Sequence, residues 1–382
     1  MDRVLLVDTN FSSVPIHDAL EGLGFEVFVC GGRPADSLAR KSGRYIELDY
    51  SNAAALEELA RELGVHAIVP GCNDLSYTVC AGLAARGLPV FTDPPATWET
   101  INAKDAFRAF ARRCGLPVPA VFDPAGELPA VPLIVKPSEA YSGRGIRVLQ
   151  APTEALLCEA IAEASAVSRN GKAVVEEYVE GQLYSHSAFL RAEAIYADFF
   201  VEEHCTASPF AVDTSWVVED LPPSVQTAVR AAIEAMAREL ELRDGLVHTQ
   251  FIRRGERVSL IEITRRCPGD RYGDLINLST GFPYALNYAL PLLGRVVEGA
   301  PDTRVRRRVL RHTLSGQAAM SFDAWACTRP LHILRYLPLC TSGERLREGP
   351  QGRVGVIFLE ESEERFAGLA AAAIRREIFA YT

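Results

Sequence analysis

The sequence lacks the short motifs that would directly indicate a zinc site. Its nine cysteines form no CxxC pair, and its seven histidines form no HxxxH pair. The odd number of cysteines and their wide scatter indicate reduced thiols, as expected in the cytosol. The cysteines stand at positions 30, 72, 80, 114, 158, 205, 267, 327 and 340.

Segments typical of export or membrane insertion are also missing. The N-terminus, "MDRVLLVDTN", has an acid at position 2 and an apolar run too short for the core of a signal peptide. No apolar stretch approaches the length needed to span a bilayer. We therefore expect a cytoplasmic protein with no membrane partner.

Basic clusters are almost absent as well. The formal net charge is −9, and "RVRRRVLR" at 304–311 is the one basic run that stands out. This balance argues against nucleic acid as a partner, and we interpret the run as a solvated face of a helix or strand. The 48% hydrophobic and 23% charged content over 382 residues is typical of a globular enzyme with two or three domains.

Apolar runs alternate with helical patterns in the first hundred residues. The runs "RVLLVD", "FEVFVC", "VHAIVPG" and "LPVFTD" predict strands, and the segments between them predict helices. This order indicates a parallel sheet covered on both faces, and we assign residues 1–96 to a Rossmann-like α/β domain. The first turn is "DTNFSS" rather than GxGxxG, so NAD is not expected. The turns at 8–13 and 71–76 are either substrate-facing loops or ordinary polar loops.

A different pattern follows from residue 97. Strand-like runs come close together between 184 and 218, and "GLVHTQFIRR" and "RVSLIEITRR" flank a "GE" turn, which predicts a β-hairpin. This composition is typical of α+β structure. We assign residues 97–301 to a two-subdomain α+β module and residues 302–382 to a small C-terminal α+β subdomain, with a last helix beginning near Glu363.

A lysine and two glycines share the stretch "LIVKPSEAYSGRGIRVL", residues 133–149. Lys136 precedes Gly143 and Gly145, and a strand follows the loop, so the order does not fit a Walker loop. A hairpin of this kind can fold over phosphates, with the lysine below and backbone N–H groups above. The alternative is a surface hairpin that carries a lysine by chance.

Polar side chains alternate along the predicted hairpin. Glu262 lies between two isoleucines, so its side chain points away from the apolar face, and His248 or Gln250 lies across from it. An acid in this place can bind Mg²⁺ through oxygen ligands. Arg265 or Arg266 would then stabilise charge on a phosphoryl group. The alternative is a solvent-facing pair of strands.

These elements, together with "AVVEEYVEGQ" (173–182) and the preceding "NAKDAFRAFARRCGLPVP", resemble the ATP-grasp superfamily of carboxylate–amine ligases, including amino-acid ligases. The resemblance covers nearly the whole chain. It implies a Rossmann-like domain in front of a two-part ATP-grasp module. It also implies ATP and Mg²⁺ as cofactors, activation of a small-molecule carboxylate as an acyl phosphate, attack by an amine, and release of ADP and phosphate.

The resemblance also implies roles for individual residues. For ATP binding it implies Lys104, Lys136, Ser142, Gly143, Arg144, Gly145, Glu176, Glu177, Tyr178 and Val179. For the metal it implies Glu262 as the main ligand, with Gln250 and Thr264 at the other ligand positions. For catalysis the candidates are Arg266, its rival Arg265, and His248.

The chain departs from the family pattern at three places. Gln250 stands where an acid is usual, Thr264 where asparagine is frequent, and Leu183 where a ribose-binding acid is common. Two other functions therefore stay open besides the ligase. One is another ATP-grasp chemistry, either carboxylase-like or formyl transfer, and the other is a non-catalytic ATP-binding protein. The substrates and the oligomeric state are not fixed by the sequence, and a homodimer is the commonest assembly to consider.

Overall fold

The structure is a computed structural model that describes residues 1–140, 143–296, 301–316, 319–347 and 352–382. It is a mixed α/β fold with a parallel N-terminal sheet and a large antiparallel sheet, which confirms the predicted fold class. Within these ranges, no helix combines the length and the apolar character needed to cross a membrane.

The N-terminal region alternates strands and helices. It contains β1 (Arg3–Val7), α1 (Val14–Gly22), β2 (Glu26–Gly31), α2 (Ser37–Lys41), β3 (Tyr45–Glu47), α3 (Ala53–Leu63), β4 (Ala67–Pro70), α4 (Asp74–Ala84) and α5 (Pro95–Asn102). Its four strands are parallel in the order β3-β2-β1-β4. The strand predicted at 88–93 is wrong. That segment forms no strand, although the Ile68 N–H donates to the Pro89 carbonyl at 2.9 Å.

A small antiparallel sheet follows. It belongs to a unit made of α6 (Lys104–Arg113), β5 (Leu133–Pro137), β6 (Arg147–Leu149), α7 (Glu154–Val167) and β7 (Ala173–Glu177), with strand order β6-β5-β7. β5 is buried along its whole length, because its apolar residues pack on α7. The pairing of β5 with β6 forms the hairpin that carries the glycine loop.

The large sheet has eight strands in the order β12-β11-β8-β9-β10-β13-β18-β16. These are β8 (Gln182–Arg191), β9 (Ala194–His204), β10 (Thr214–Val218), β11 (Gly245–Arg254), β12 (Arg257–Thr264), β13 (Arg308–Ser315), β16 (His332–Pro338) and β18 (Arg353–Glu361). Every neighbouring pair is antiparallel, and the β11–β12 hairpin is the predicted one. The sheet continues from β10 to β13, across the position where we predict a domain boundary at 301–302. The two domain boundaries, at 96–97 and 301–302, remain predictions.

Helices cover both faces of this sheet. α8 (Pro223–Glu239) packs on one face through a continuous apolar cluster. α9 (Tyr272–Thr280) and α10 (Tyr284–Leu292) pack on the other face, and that apolar cluster continues into the N-terminal region. α11 (Glu363–Ile374) covers the C-terminal strands and begins where the sequence predicts. The remaining strands are β14 (Met320–Ser321), β15 (Trp325–Cys327), β17 (Arg345–Leu346) and β19 (Phe379–Tyr381).

Candidate active site

A buried ion cluster joins the small sheet to α6. The Lys136 Nζ lies 2.7 Å from Glu176 Oε2, and the Arg108 Nε lies 2.7 Å from Glu176 Oε1. Arg108 also donates to the Ile261 carbonyl at 2.6 Å, so it connects the small sheet to the β11–β12 hairpin. All three side chains are buried. The cluster therefore holds the Lys136 ammonium in a fixed position on β5.

The charges of this cluster shift the pKa of two of its members. Burial lowers the pKa of Lys136, the Glu176 carboxylate opposes that shift, and the Arg108 cation adds to it. Burial raises the pKa of Glu176, but the Lys136 and Arg108 cations outweigh it, so the net pKa is lowered. The sequence analysis did not assign Arg108. The available signal was its spacing from Lys104, because residues four apart share one face of a helix.

The segment predicted to bind adenine lies at the end of β7. Glu176 is fully buried and its carboxylate is engaged by Lys136 and Arg108, whereas Glu177, Tyr178 and Val179 are half-buried. The backbone N–H groups of Glu177 and Tyr178 donate to the Ala120 and Pro132 carbonyls. These two backbone N–H groups are therefore not free to donate to a base. The Glu176 carboxylate is therefore engaged in the ion cluster, and the adenine-binding role of residues 176–179 stays a prediction.

The glycine loop turns back on itself between β5 and β6. Gly143 and Gly145 both have φ of +68°, in the left-handed region where a side chain is strained. A Cβ on Gly143 would lie 2.9 Å from the Phe210 Cβ, so the loop and the segment after β9 approach closely. Arg144 lies between these glycines and is exposed. Ser142, the fourth residue predicted for the flap, lies outside the described residues.

Lys104 and Glu262 meet between the two sheets. Lys104 is the first residue of α6, and its Nζ lies 3.7 Å from Glu262 Oε1 on β12 and 3.4 Å from the Ala140 carbonyl of the glycine loop. The Glu262 side chain is 44% exposed, so its carboxylate remains open to a ligand. The lysine predicted for phosphate and the acid predicted for metal are therefore neighbours.

The β11–β12 register aligns the predicted metal residues. Gln250 is directly opposite Glu262, and His248 is directly opposite Thr264. The Gln250 Nε2 donates to Glu203 Oε2 at 2.7 Å. The amide oxygen of Gln250 therefore does not take part in this hydrogen bond. A carboxylate and an amide oxygen are the donor types that Mg²⁺ prefers. Thr264 is buried, and its hydroxyl accepts a hydrogen bond from the Arg266 N–H at 3.3 Å.

Glu203 on β9 is a residue that the sequence analysis missed. It is 3% exposed, and burial, together with the nearby Asp270 charge, raises its pKa to about 7. Its neighbour Ser185 and its partner Gln250 oppose this shift by hydrogen bonding. The run "FFVEEH" gave no local signal that one of two adjacent glutamates is buried beside Gln250, because β9 and β11 lie far apart in sequence.

The two adjacent arginines after β12 have different surroundings. The Arg266 Nε donates to Asp74 Oδ1 at 2.7 Å, and its side chain is 18% exposed. Arg265 is buried, with donors directed to Asp93 Oδ2 at 2.6 Å and to the carbonyls of Leu246 and Arg243. Arg265 is thus committed to a structural network, and we keep Arg266 alone as the proposed phosphate-side arginine.

His248 is buried, as Arg265 is, whereas Arg266 is partly exposed. Its Nδ1 is hydrogen-bonded to Ser187 Oγ at 2.9 Å, and its ring packs edge-on to Tyr272. Burial and the nearby Arg266 cation lower its pKa to about 3, so the imidazole is neutral at physiological pH. A neutral ring held by a serine can orient neighbouring groups, but it does not carry a proton to the surface.

Both polar turns of the N-terminal region face this site. Asp74, which binds Arg266, belongs to the turn at 71–76, and Ser12 of the turn at 8–13 hydrogen-bonds to the Gly269 carbonyl. Asp8 accepts hydrogen bonds from Ser13 and from the N–H groups of Asn10 and Cys72, which joins the two turns. The N-terminal region therefore contributes one wall of the site.

Comparison with known proteins agrees with this geometry. A family described as "ATP-grasp domain" matches residues 129–274. The formate-dependent phosphoribosylglycinamide formyltransferase of Vibrio cholerae is 28% identical over 189 residues, which cover 47% of this chain and 48% of that protein. The chain thus matches about half the length of this curated relative.

Two solved structures share the fold over the whole chain. An L-amino acid ligase from Bacillus licheniformis superposes with a TM-score of 0.81 at 16% identity, covering 100% of this chain and 99% of that one. The second is the biotin carboxylase domain of the 2-oxoglutarate carboxylase from Hydrogenobacter thermophilus, in complex with MgADP. It superposes with a TM-score of 0.77 at 14% identity, covering 100% of this chain and 90% of that one. Residues 129–274 thus match the ATP-grasp domain, and the whole chain shares its fold with these two solved structures.

Proposed function

We propose that this protein is an ADP-forming ligase that activates a small-molecule carboxylate as an acyl phosphate for attack by an amine. The observation that carries the proposal is the 3.7 Å approach of Lys104 Nζ to Glu262 Oε1. This approach brings a cation from the small unit next to an open carboxylate from the large sheet, beneath the glycine loop. Phosphoryl transfer depends mainly on such positioning and electrostatics.

The proposed roles follow from where the side chains lie. Lys136 and Lys104 bind phosphate oxygens of ATP, and the Gly143–Gly145 loop covers them from above. Glu262 and the Gln250 amide oxygen would hold Mg²⁺, which neutralises charge on the phosphates when it is bound. Arg266 lies beside Asp74 at the end of β12, where it can stabilise charge on the transferred phosphoryl group.

The reaction then has two steps. A carboxylate oxygen attacks the γ-phosphorus, and the bond from that phosphorus to the bridging oxygen breaks, so ADP leaves. The amine nitrogen next attacks the acyl carbon, the bond from that carbon to the phosphate oxygen breaks, and phosphate leaves while the nitrogen loses a proton. Two lysines and one arginine around the site would stabilise the negative charge that develops in both steps.

One relative favours a specific carboxylate. The matched Vibrio cholerae protein is named for formate, which is itself a carboxylate, so formyl transfer to an amine would be one case of the proposed reaction. A non-catalytic ATP-binding protein is the contrasting candidate, because Gln250 provides a neutral group beside Glu262. We further propose a cytoplasmic setting, since the nine cysteines are free thiols, and a homodimer, which light scattering would test.

The test is analysis of nucleotide products. The protein is incubated with ATP, Mg²⁺ and pooled carboxylates and amines, including formate and amino acids, and ADP, AMP and new masses are resolved. ADP with a condensed product is expected. AMP would overturn the acyl phosphate route, and ATP binding without turnover in any pool would favour the non-catalytic alternative. Glu262→Ala serves as the matched inactive control.

A further inference from the structure

Two cations share one acid in the ion cluster of Arg108, Lys136 and Glu176. Glu176 Oε2 lies 2.7 Å from the Lys136 Nζ and 3.5 Å from the Arg108 Nη2, and the Arg108 Nε lies 2.7 Å from Glu176 Oε1. The exposed fractions of Arg108, Lys136 and Glu176 are 1%, 4% and 0%. When all three side chains are ionised, the ion cluster therefore carries one unbalanced positive charge inside the protein.

The charged groups around the ion cluster do not balance this excess. Burial, the Arg108 cation and the Lys104 cation all lower the pKa of Lys136, whereas Glu176 opposes them. Lys104 has an acid of its own, because its Nζ lies 3.7 Å from Glu262 Oε1. The positive charge that exceeds the charge of Glu176 is thus contributed by Arg108 and Lys136 together.

Stability alone does not account for an arginine at position 108. Its Nη2 donates to the Ile261 carbonyl at 2.6 Å, but its Nη1 is buried and makes no hydrogen bond within the part of the chain that the structure describes. A buried donor without an acceptor is costly, and apolar side chains often replace buried ion pairs without loss of stability. A second buried cation therefore suits a site that an anion completes.

The excess charge lies where the phosphates of ATP are proposed to bind. Because the Arg108 Nη2 and the Lys136 Nζ approach the same oxygen of Glu176, these two nitrogens are at most about 6 Å apart. A phosphate in contact with Lys136 would interact with the Arg108 charge through the protein interior, where screening is weak. Without Arg108, Lys136 and Glu176 would form a neutral pair that attracts phosphate far less.

We infer that Arg108 sets the net positive charge of the phosphate site, so that nucleotide affinity depends on Arg108 more strongly as the nucleotide carries more phosphate charge. Arg108 acts through Glu176 and Lys136 and contacts neither the nucleotide nor the reacting atoms, so it is a positioning residue. The inference rests on the proposed function, because it takes Lys136 as a phosphate-binding group.

The experiment compares nucleotides of different charge. Dissociation constants of ATP, ADP, AMP and adenosine are measured by calorimetry for wild type and Arg108→Met, in a metal chelator so that the charge rises in steps with the number of phosphates. Arg108→Met is expected to weaken ATP binding by at least about tenfold, AMP binding by less, and adenosine binding not at all. An equal loss for ATP and adenosine would overturn the inference, because it would indicate a general disturbance of the site.

A double variant separates charge from packing. Arg108→Met combined with Glu176→Gln removes one charge of each sign and returns the ion cluster to one net positive charge, which Lys136 carries. Its ATP affinity should therefore recover to within about threefold of wild type, although two buried side chains have changed. ATP binding by the double variant that is no tighter than in Arg108→Met would overturn the inference.

Two further variants serve as controls. Arg108→Lys keeps the charge on a shorter side chain and should retain the ATP affinity of wild type. Arg112→Met removes an exposed arginine one turn further along the same helix and should change no dissociation constant. Urea denaturation establishes that each variant is folded, and Arg108→Gln, which keeps a donor for the Ile261 carbonyl, replaces Arg108→Met if the latter is unfolded.

Failure of the inference and failure of the proposed function give different results. A wild type that binds ATP with an affinity unchanged in Arg108→Met would overturn the inference and leave the proposed function intact. A wild type that binds none of the nucleotides would overturn the proposed function and the inference with it.

Discussion

The Nε of Arg266 donates a 2.7 Å hydrogen bond to Oδ1 of Asp74, which ties the end of β12 to the N-terminal wall of the site. Its neighbour Arg265 instead pairs with Asp93 at 2.6 Å and is buried. Two adjacent arginines of identical chemistry therefore pair with different acids, one at the wall of the site and one in the protein interior.

This difference predicts opposite outcomes for the same substitution. Arg265→Met should lower the free energy of unfolding by about 3–5 kcal/mol, because it leaves Asp93 buried without its cation. Arg266→Met should cost less stability and lower ADP formation by about a hundredfold or more. Urea denaturation and steady-state ADP release measure the two effects. Loss of turnover in a stable Arg265→Met would reverse our assignment.

Glu262 should be required for turnover but not for folding. Glu262→Ala removes the open carboxylate beside Lys104 and should abolish ADP formation, with less than about 0.5 kcal/mol of change in stability, since the side chain is 44% exposed. Glu256→Ala, in the exposed turn of the same hairpin, is the control. Normal turnover by Glu262→Ala would show that the metal assignment is incorrect.

Gln250→Glu should strengthen Mg²⁺ binding but lower the stability of the metal-free protein. A second carboxylate beside Glu203 adds charge for Mg²⁺, so the concentration of Mg²⁺ that gives half-maximal turnover should fall. Without metal, the two acids would repel each other and lose the 2.7 Å hydrogen bond, which should cost about 1–3 kcal/mol.

The double variant Gln250→Glu with Glu203→Gln exchanges the acid and the amide and should recover the metal-free stability. Melting curves with and without Mg²⁺ measure both effects. An unchanged Mg²⁺ requirement in Gln250→Glu would place Gln250 outside the metal site.

The buried carboxylate of Glu176 should be one of the least replaceable groups of the small unit. Glu176→Gln leaves Lys136 and Arg108 without their common anion, and we expect a loss of about 3–5 kcal/mol. Glu177→Gln, one residue further and half-buried, should change stability by less than about 0.5 kcal/mol. Urea denaturation at neutral pH compares the two. Similar stability of both variants would contradict the structural importance of the cluster.

Glu203 should make the metal-free protein less stable as the pH rises. Its pKa is raised from 4.5 to about 7, so between these values the folded state binds more protons than the unfolded state. The stability contributed by the protonated form is complete below pH 4.5 and lost as pH rises through 7. The loss amounts to up to about 3 kcal/mol.

Glu203→Gln removes this ionisation. The stability of Glu203→Gln relative to wild type should therefore increase across that pH window, as measured by urea denaturation at a series of pH values in a metal chelator. If the difference in the free energy of unfolding between the two proteins stays constant with pH, Glu203 ionises normally in the folded state.

Local patterns were sufficient for most of the architecture. The alternation of apolar runs and helical spacing predicted the parallel N-terminal sheet, and the "GE" turn predicted the β11–β12 hairpin with Gln250 and Glu262 on facing strands. Both signals depend on residues close together in the chain, where side-chain period and turn chemistry decide the structure. The prediction of a strand at 88–93 was wrong because strand formation also requires pairing with a neighbouring strand. Its composition suits a strand, but no ladder forms around it.

The partners of the charged residues were decided only by the tertiary structure. Arg108 meets Glu176, Glu203 meets Gln250, and Ser215 meets Arg311, each pair being separated by tens of residues or more. The order of strands in the large sheet sets these meetings, and a sequence pattern carries no information about which distant strands become neighbours. Burial then fixes which of two adjacent like residues, such as Arg265 and Arg266, joins the core and which faces the site. The sequence by itself thus determined the elements and the candidate chemistry, while the strand order determined which charges stand together.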